Sequence, residues 1–219
     1  MNLKDEVRGK ICLALDVDSL DLVKEIVEES YQYVGLYKVG KELFISEGAS
    51  SIKIPQSFDR DVFLDLKLHD IPNTVQSASK AIVKHNVKMF TVHAMGGKGM
   101  IQAAVRGVNG GSKKYQNPKP KILGVTLLTS HDADSIKEIL IDKPLEFVLI
   151  EYAKLASKNG CDGIVCSPKD IRFISPHINK KIIYVTPGVR LREDKKSDQK
   201  RVCTPQDAIS NGSSMIVVG

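Results

Sequence analysis

The chain alternates short runs of β-branched and aliphatic residues with longer segments whose apolar positions recur at helical spacing. Each short run is followed by a polar turn or by a turn containing Gly or Pro, which is typical of a strand end. The eight predicted strands are residues 11–16, 35–39, 62–67, 88–93, 121–126, 163–166, 182–186 and 215–218. The predicted helices between them include residues 20–30, 73–85, 98–108, 145–158 and 205–210.

Eight such units predict either a (β/α)8 TIM barrel or a doubly wound sheet, because parallel strands are joined by helical crossovers. Charged or polar residues stand at the C-terminal ends of several strands: Asp16, Lys38, Asp65, Lys67 and His93. A barrel gathers its site from many strand ends, whereas a doubly wound sheet concentrates it at one switch point. No G-x-G-x-x-G follows the first strand. We therefore expect an α/β protein, a TIM barrel forming one domain over residues 1–219.

The segment FLDLKLHDIP, from Phe63 to Pro72, is the most informative part of the chain. Period-two alternation places Phe63, Asp65 and Lys67 on one face of a strand and aliphatic residues on the other. A charged pair inside a barrel is costly unless it is matched or functional. A structural salt bridge is one interpretation. The other is a proton-donating lysine kept protonated between Asp65 and Asp70.

Other strand ends offer binding groups, each with a structural alternative. Asp16 shares a face with small residues and could bind a ligand hydroxyl or cap a helix. Thr129 and Ser130 could contact a heterocycle or cap a helix. The Pro-Gly turn in VTPGVR, followed by Arg190 and then Gln199, is typical of phosphate binding. The segment HAMGGKGM (residues 93–100) is either a second Gly-rich site or a tight turn before a helix.

Composition narrows the class of ligand. The formal charge is +6 and the pI is about 9.0, but the lysines are spread along the chain. With 5% aromatic residues and no Trp, a nucleic-acid platform is poorly supported, so a small anionic substrate is favoured. None of the four cysteines forms a C-x-x-C pair, which favours reduced core thiols over zinc ligands. We expect a cytoplasmic protein without membrane segments, since neither a signal peptide nor a membrane span is evident.

Taken together, LALDVD, YKVGKELF, FLDLKLHDIPNTV, VHAMGGKGM, VTLLTS, DGIVCS, VTPGVR, the DQKR around Gln199 and IVVG closely resemble the bacterial type of orotidine 5′-phosphate decarboxylase. The motifs follow the family's order across almost the whole chain. The resemblance implies decarboxylation of orotidine 5′-monophosphate (OMP) to UMP in de novo pyrimidine synthesis. It also implies a homodimeric TIM barrel with shared active sites that uses no metal and no organic cofactor.

The resemblance also implies roles for individual residues. Lys38, Asp65, Lys67 and Asp70 would form the catalytic charged tetrad, with Lys67 donating a proton to C6 and Asp70 reaching into the partner's site. Asp16 and Lys38 would hold the ribose, Thr129 and Ser130 would face the pyrimidine, and Arg190, Gln199 and Gly219 would line the phosphate site. The full set of implied substrate-binding residues is Asp16, Lys38, Asp65, Leu66, Lys67, Leu68, His69, Asp70, Ile71, Pro72, Asn73, Thr74, Thr129, Ser130, Pro187, Arg190, Gln199 and Gly219.

One departure from the family concerns the end of the sequence. The family continues beyond the position of Gly219 with an Arg that contacts the phosphate and with a last helix. This sequence stops after its eighth strand. If Gly219 is the true end, we expect the last helix to be missing and the phosphate affinity to be weak.

Two other functions remain open at this point. A hexulose-phosphate synthase or a ketogulonate-phosphate decarboxylase shares the Asp-x-Lys-x-x-Asp core but stabilises an enediolate with Mg²⁺. The continuation of the motif to Ile71 and Pro72, together with TPGVR and Gln199, favours the nucleotide decarboxylase. A catalytically silent, basic binding barrel would leave the Asp65–Lys67–Asp70 arrangement without a purpose.

Overall fold

The computed structural model describes residues 3–190 and 203–219. Eight parallel strands pair in chain order, and the first strand pairs with the last, which closes a barrel. The strands are β1 (Ile11–Leu15), β2 (Leu36–Val39), β3 (Asp61–Leu68), β4 (Met89–His93), β5 (Lys121–Val125), β6 (Gly163–Val165), β7 (Ile183–Thr186) and β8 (Met215–Val218). The predicted TIM barrel is confirmed, and each predicted strand is found within one residue at each end.

Helices fill the crossovers and cover the outside of the barrel. They are α1 (Leu3–Arg8), α2 (Leu20–Ser30), α3 (Lys41–Glu47), α4 (Ser50–Ser57), α5 (Pro72–Val83), α6 (Gly97–Tyr115), α7 (Ser135–Glu138), α8 (Leu145–Lys158), α9 (Ile171–Ile174) and α10 (Pro205–Ser210). All five predicted helices are present, and α6 continues beyond its predicted end at residue 108. Among residues 3–190 and 203–219, no helix combines the length and apolarity that crossing a membrane requires.

Strand alternation produces two apolar layers, as the parity of β3 predicts. Phe63 points into the barrel interior, whereas Leu64 packs outward under the helices. The interior cluster contains Cys12, Leu36, Phe63, Met89, Leu123, Val125, Val165, Val185, Met215 and Val217. The thiols of Cys12, Cys161 and Cys166 are buried, and none of the four cysteines forms a disulfide. Burial raises the pKa of Cys161 to about 12, so this thiol stays protonated and unreactive at neutral pH.

Helices α5 and α6 pack together unusually closely. A Cβ atom on Gly107 would lie 2.3 Å from the carbonyl oxygen of Gln76, and one on Gly111 would lie 2.8 Å from Val83 Cγ2. The two glycines, four residues apart on one face of α6, let the backbones approach to this distance. Because α5 begins at Pro72, this contact also anchors the chain that leaves the end of β3.

Candidate active site

A cavity of about 330 Å³ opens at the C-terminal ends of the strands. This is the end of a TIM barrel at which active sites are found. Nine of the implied substrate-binding residues line it: Asp16, Lys38, Asp65, Lys67, Thr129, Ser130, Pro187, Arg190 and Gly219. The strand ends thus converge as the sequence predicts, on a cavity of a size suited to a small molecule.

Asp65 and Lys67 form an ion pair on the interior face of β3. Lys67 Nζ donates to Asp65 Oδ2 at 2.7 Å, and the two side chains are 26% and 12% exposed, respectively. The backbone of Lys67 is left-handed, with φ of 52°, which costs a non-glycine residue on the order of 1 kcal/mol. Such strain is concentrated at functional sites, where the surrounding structure maintains it.

A β-bulge explains the unusual backbone of Lys67. Leu64 pairs with Phe90 and Leu68 pairs with Val92, so residues 65–67 of β3 face only Thr91 on β4. The Lys67 amide donates to Thr91 Oγ1 at 2.8 Å, and Thr91 Oγ1 donates to Asp65 Oδ1 at 2.9 Å. Sequence reasoning missed Thr91. Its only signal was a polar residue on the interior face of a predicted strand.

A second ion pair joins β1 to β2. Lys38 Nζ donates to Asp16 Oδ1 at 2.8 Å. The helix-cap alternative for Asp16 is wrong, because Ser19 is the N-cap of α2 and accepts from the Leu22 amide. Gly40, which the sequence did not single out, leaves room for this pair, since a Cβ there would lie 3.1 Å from Lys38 Nζ.

Arg190 lies on the opposite side of the cavity mouth. It follows β7, which stands four strands away from β3 in the closed ring of eight. The preceding turn needs a glycine, because Gly188 has φ of 75°. Arg190 Nε is buried and has no hydrogen-bond partner within the described part of the chain. A buried guanidinium nitrogen without a partner in a cavity wall suits an anionic ligand group.

The wall between these charged groups combines apolar and hydroxyl side chains. Val125 and Leu127 are buried in it, and Thr129 and Ser130 follow them along the chain. The helix-cap alternative for the two hydroxyl residues is not found, because the next helix, α7, begins after Asp134. An apolar surface beside hydroxyl groups can accept the face and the polar edge of a heterocycle.

The remaining implied residues of the β3 segment do not line the cavity. Leu66 and Leu68 pack against the outer apolar layer, while residues 69–74 are all exposed. Within one chain Lys67 pairs with Asp65 and not with Asp70, whose Oδ1 accepts from the Ile71 amide at 2.6 Å. An ammonium flanked by two carboxylates is therefore not assembled inside a single subunit. Gln199 and the other residues from 191 to 202 lie outside the described residues.

The segment 93–100 forms a turn rather than a part of the cavity. A short 3-10 turn spans Ala94–Gly96, and α6 begins at Gly97, where φ is 80°. The ring of His93 lies 5.4 Å from that of His69. Burial, followed by the charges of His69, Lys67 and Lys41, lowers the pKa of His93 to about 4. His93 is therefore neutral at physiological pH.

The barrel interior beneath the ion pairs is lined mainly by apolar side chains. Cys12 is fully buried there, and burial raises the pKa of its thiol far above the usual value. No group of three or more His, Cys, Asp or Glu residues within 3–190 and 203–219 is arranged to hold a metal ion. The cavity therefore has an apolar floor under charged and hydroxyl side chains.

Residues 9–219 match the model of the orotidine 5′-phosphate decarboxylase / HUMPS family. The chain belongs to this family. A Trichlorobacter lovleyi protein named orotidine 5′-phosphate decarboxylase is 41% identical over 217 residues, which cover 99% of this chain and 89% of that protein. A protein of the same name from Moorella thermoacetica is 39% identical, and the match covers 99% of this chain and 86% of that protein.

Solved structures give the same family and fold. The crystal structure of orotidine 5′-phosphate decarboxylase from Lactobacillus acidophilus superposes with a TM-score of 0.82 at 36% identity, covering 96% of this chain and 90% of that one. An uncharacterised conserved protein from Geobacillus kaustophilus has the same TM-score at 34% identity, covering 95% and 90%. The expected family is confirmed.

Proposed function

We propose that this protein converts OMP to UMP and CO₂ in pyrimidine biosynthesis, with Lys67 as the proton donor. The relatives named above carry this activity in their names. The observation that carries the proposal is the ammonium of Lys67, held 2.7 Å from Asp65 in the wall of a cavity that fits a small molecule.

The chemistry requires a cation that is already in place. When the bond between C6 and the carboxylate carbon breaks, its electron pair stays on C6 and CO₂ leaves. A fixed ammonium stabilises this charge as it develops, without reorganisation of solvent. Transfer of a proton from Lys67 Nζ to C6 then gives UMP and a neutral amine, which water reprotonates.

Electrostatics gives the substrate an orientation. Three cations and two carboxylates line the cavity, and each carboxylate is paired with a lysine. Arg190 is then the cation left for the phosphate among the described lining residues. Because it stands across the mouth from β3, a nucleotide whose phosphate binds Arg190 directs its base towards Lys67. Gly219 and Gln199 are proposed to complete the phosphate site.

The other lining residues are assigned by their positions between these two ends. Asp16 and Lys38 are proposed to bind the ribose hydroxyls, since their ion pair presents both an acceptor and a donor. Thr129 and Ser130 are proposed to bind the polar edge of the pyrimidine, while the neighbouring Val125 and Leu127 contact its face. The contacts to ribose and phosphate, which lie away from C6, supply binding energy that positions the reacting carbon.

We further propose a homodimer with shared active sites. The exposed segment 69–74 includes Asp70 and also Ile71, which is 67% exposed at the barrel mouth. An aliphatic side chain beside a carboxylate in such a segment suits contact with a second copy of the chain. Asp70 of one subunit would then approach the Lys67 of its partner and provide the second carboxylate.

The family name also covers HUMPS proteins, so a Mg²⁺-dependent reaction on a sugar phosphate is the second candidate. The two functions are separated by assaying OMP conversion with and without EDTA. We expect UMP formation at the same rate in both conditions. Loss of activity with EDTA and its recovery with Mg²⁺ would contradict the proposal, as would turnover of a hexulose phosphate but not of OMP.

A further inference from the structure

Thr91 is an unusual residue in its surroundings. It lies on the interior face of β4 and is completely buried. The side chains of the interior cluster around it are apolar, with Phe63 and Met89 on the neighbouring strand and on β4 itself. A hydroxyl buried in such a layer is costly unless it forms hydrogen bonds that the structure needs.

The two hydrogen bonds of Thr91 have fixed directions. The Lys67 amide can only donate, so Thr91 Oγ1 accepts from it at 2.8 Å. The Asp65 carboxylate accepts, so the Thr91 hydroxyl gives its single proton to Oδ1 at 2.9 Å. The other carboxylate oxygen, Oδ2, binds Lys67 Nζ at 2.7 Å. Thr91, Asp65 and Lys67 thus form a closed ring of hydrogen bonds.

The bulge makes this hydroxyl necessary. Residues 65–67 of β3 face the single residue Thr91, so the Lys67 amide is bound by a side chain in place of a strand carbonyl. The same residue has the left-handed backbone with φ of 52°. The hydroxyl therefore holds both the main chain that aims Lys67 and the carboxylate that binds its ammonium.

We infer that Thr91 is a positioning residue for the decarboxylation: its hydroxyl fixes the relative placement of Lys67 Nζ and the Asp65 carboxylate. This inference rests on the proposed function, because it assigns Thr91 an effect on proton delivery through Lys67. Thr91 does not line the cavity, so it acts through the two residues that do.

The test compares variants that keep or remove the hydroxyl. Thr91→Val keeps the shape but removes both hydrogen bonds, and Thr91→Ser keeps them. We expect Thr91→Val to lower kcat by about 10- to 100-fold, the cost of a small misplacement of a reacting group. The dissociation constant of UMP should change by less than about threefold, because Thr91 does not contact the ligand. Thr91→Ser should restore kcat to within about threefold of the parent.

Thr186→Val is the matched control. Thr186 is also completely buried on a strand, and its hydroxyl donates to Ser213 at 2.9 Å, away from the ion pairs. We expect both valine variants to lower the melting temperature, and only Thr91→Val to lower kcat. If Thr91→Val does not fold, Thr91→Cys keeps a weaker donor and acceptor and should have a kcat well below that of Thr91→Ser.

The inference is contradicted if Thr91→Val keeps kcat within about threefold of the parent, or if Thr186→Val loses kcat equally. A weakening of UMP binding that matches the loss of kcat would also contradict it. Failure of the proposed function has a different signature: the parent itself would form no UMP from OMP, or Lys67→Ala would turn over at the parental rate.

Discussion

Lys67 and Asp65 lie two residues apart on β3, and Lys67 Nζ lies 2.7 Å from Asp65 Oδ2. Both residues belong to a β-bulge, in which β3 has two more residues than β4 between their paired positions. The alternating pattern of a strand places both on the interior face. The bulge and the hydroxyl of Thr91 then set how the ammonium is presented to the cavity. The ammonium that we propose as the acid for C6 is therefore held in the barrel wall.

The phosphate assignment of Arg190 predicts a selective loss of nucleotide affinity. Arg190→Ala should weaken UMP binding by about 10- to 100-fold, since hydrogen bonds to charged groups contribute about 1.5–3 kcal/mol. Uridine binding should change little, because uridine has no phosphate. Calorimetric titration of both ligands measures the ratio, with the exposed Arg172 replaced by alanine as the control. An unchanged ratio of UMP to uridine affinity in Arg190→Ala would place the phosphate elsewhere.

The proposed sharing of active sites predicts complementation between two inactive variants. Asp70→Ala and Lys67→Ala homodimers should both be inactive. After mixing and exchange of subunits, half of the dimers are hybrids with one intact site, so about a quarter of the parental activity should appear. Sedimentation of each variant verifies that dimers form. Verified hybrids without activity would show that Asp70 does not serve the partner's site.

The sequence predicted the barrel and four of its charged residues for identifiable reasons. Short β-branched and aliphatic runs followed by turns revealed all eight strands, and their position at strand C-termini placed Asp16, Lys38, Asp65 and Lys67 at one end. The bulge in β3 could not be predicted, because it depends on how β3 pairs with β4, and Thr91 acquires its role only through that pairing. The continuation of α6 past residue 108 was also missed, because its glycines disfavour an isolated helix but are required by close packing.

The close contact between α5 and α6 predicts that alanine substitutions at two glycines of α6 change the free energy of unfolding in opposite directions. Gly107→Ala should lower the free energy of unfolding by about 1–3 kcal/mol, because its Cβ would collide with the Gln76 carbonyl. Gly110→Ala should raise it by about 0.5–1 kcal/mol, since its Cβ meets open space and alanine favours helix. Urea denaturation measures both. Equal effects of the two substitutions would show that α5 leaves room for a Cβ atom at position 107 of α6.

The lowered pKa of His93 predicts that the protein loses stability in mild acid. Its pKa is about 4 in the folded protein against 6.5 ordinarily, so between these values the unfolded chain binds more protons. The free energy of unfolding should therefore fall as the pH drops from about 6.5 to about 4, by no more than about 2 kcal/mol for a partly buried ring. Burial is the main cause, and His69, Lys67 and Lys41 oppose the charged form while Asp65 favours it.

This contribution can be isolated by substitution. His93→Gln should flatten the fall in stability between about pH 7 and about pH 5, measured by urea denaturation. The exposed His177 provides the control, and His177→Gln should leave the slope as it is in the parent. An identical slope in His93→Gln and the parent would show that other groups cause the acid sensitivity.

The central claim, that Lys67 delivers the proton to C6, is tested most directly by UMP formation from OMP in Lys67→Ala beside Lys88→Ala. Lys88 is the matched control, because it forms a lysine–aspartate pair with Asp61 at the other end of β3, with a separation of 3.1 Å. We expect Lys67→Ala to lose at least about a thousandfold in kcat while retaining its fold, and Lys88→Ala to keep the parental rate. A Lys67→Ala enzyme that turns over within about tenfold of the parent would contradict the account.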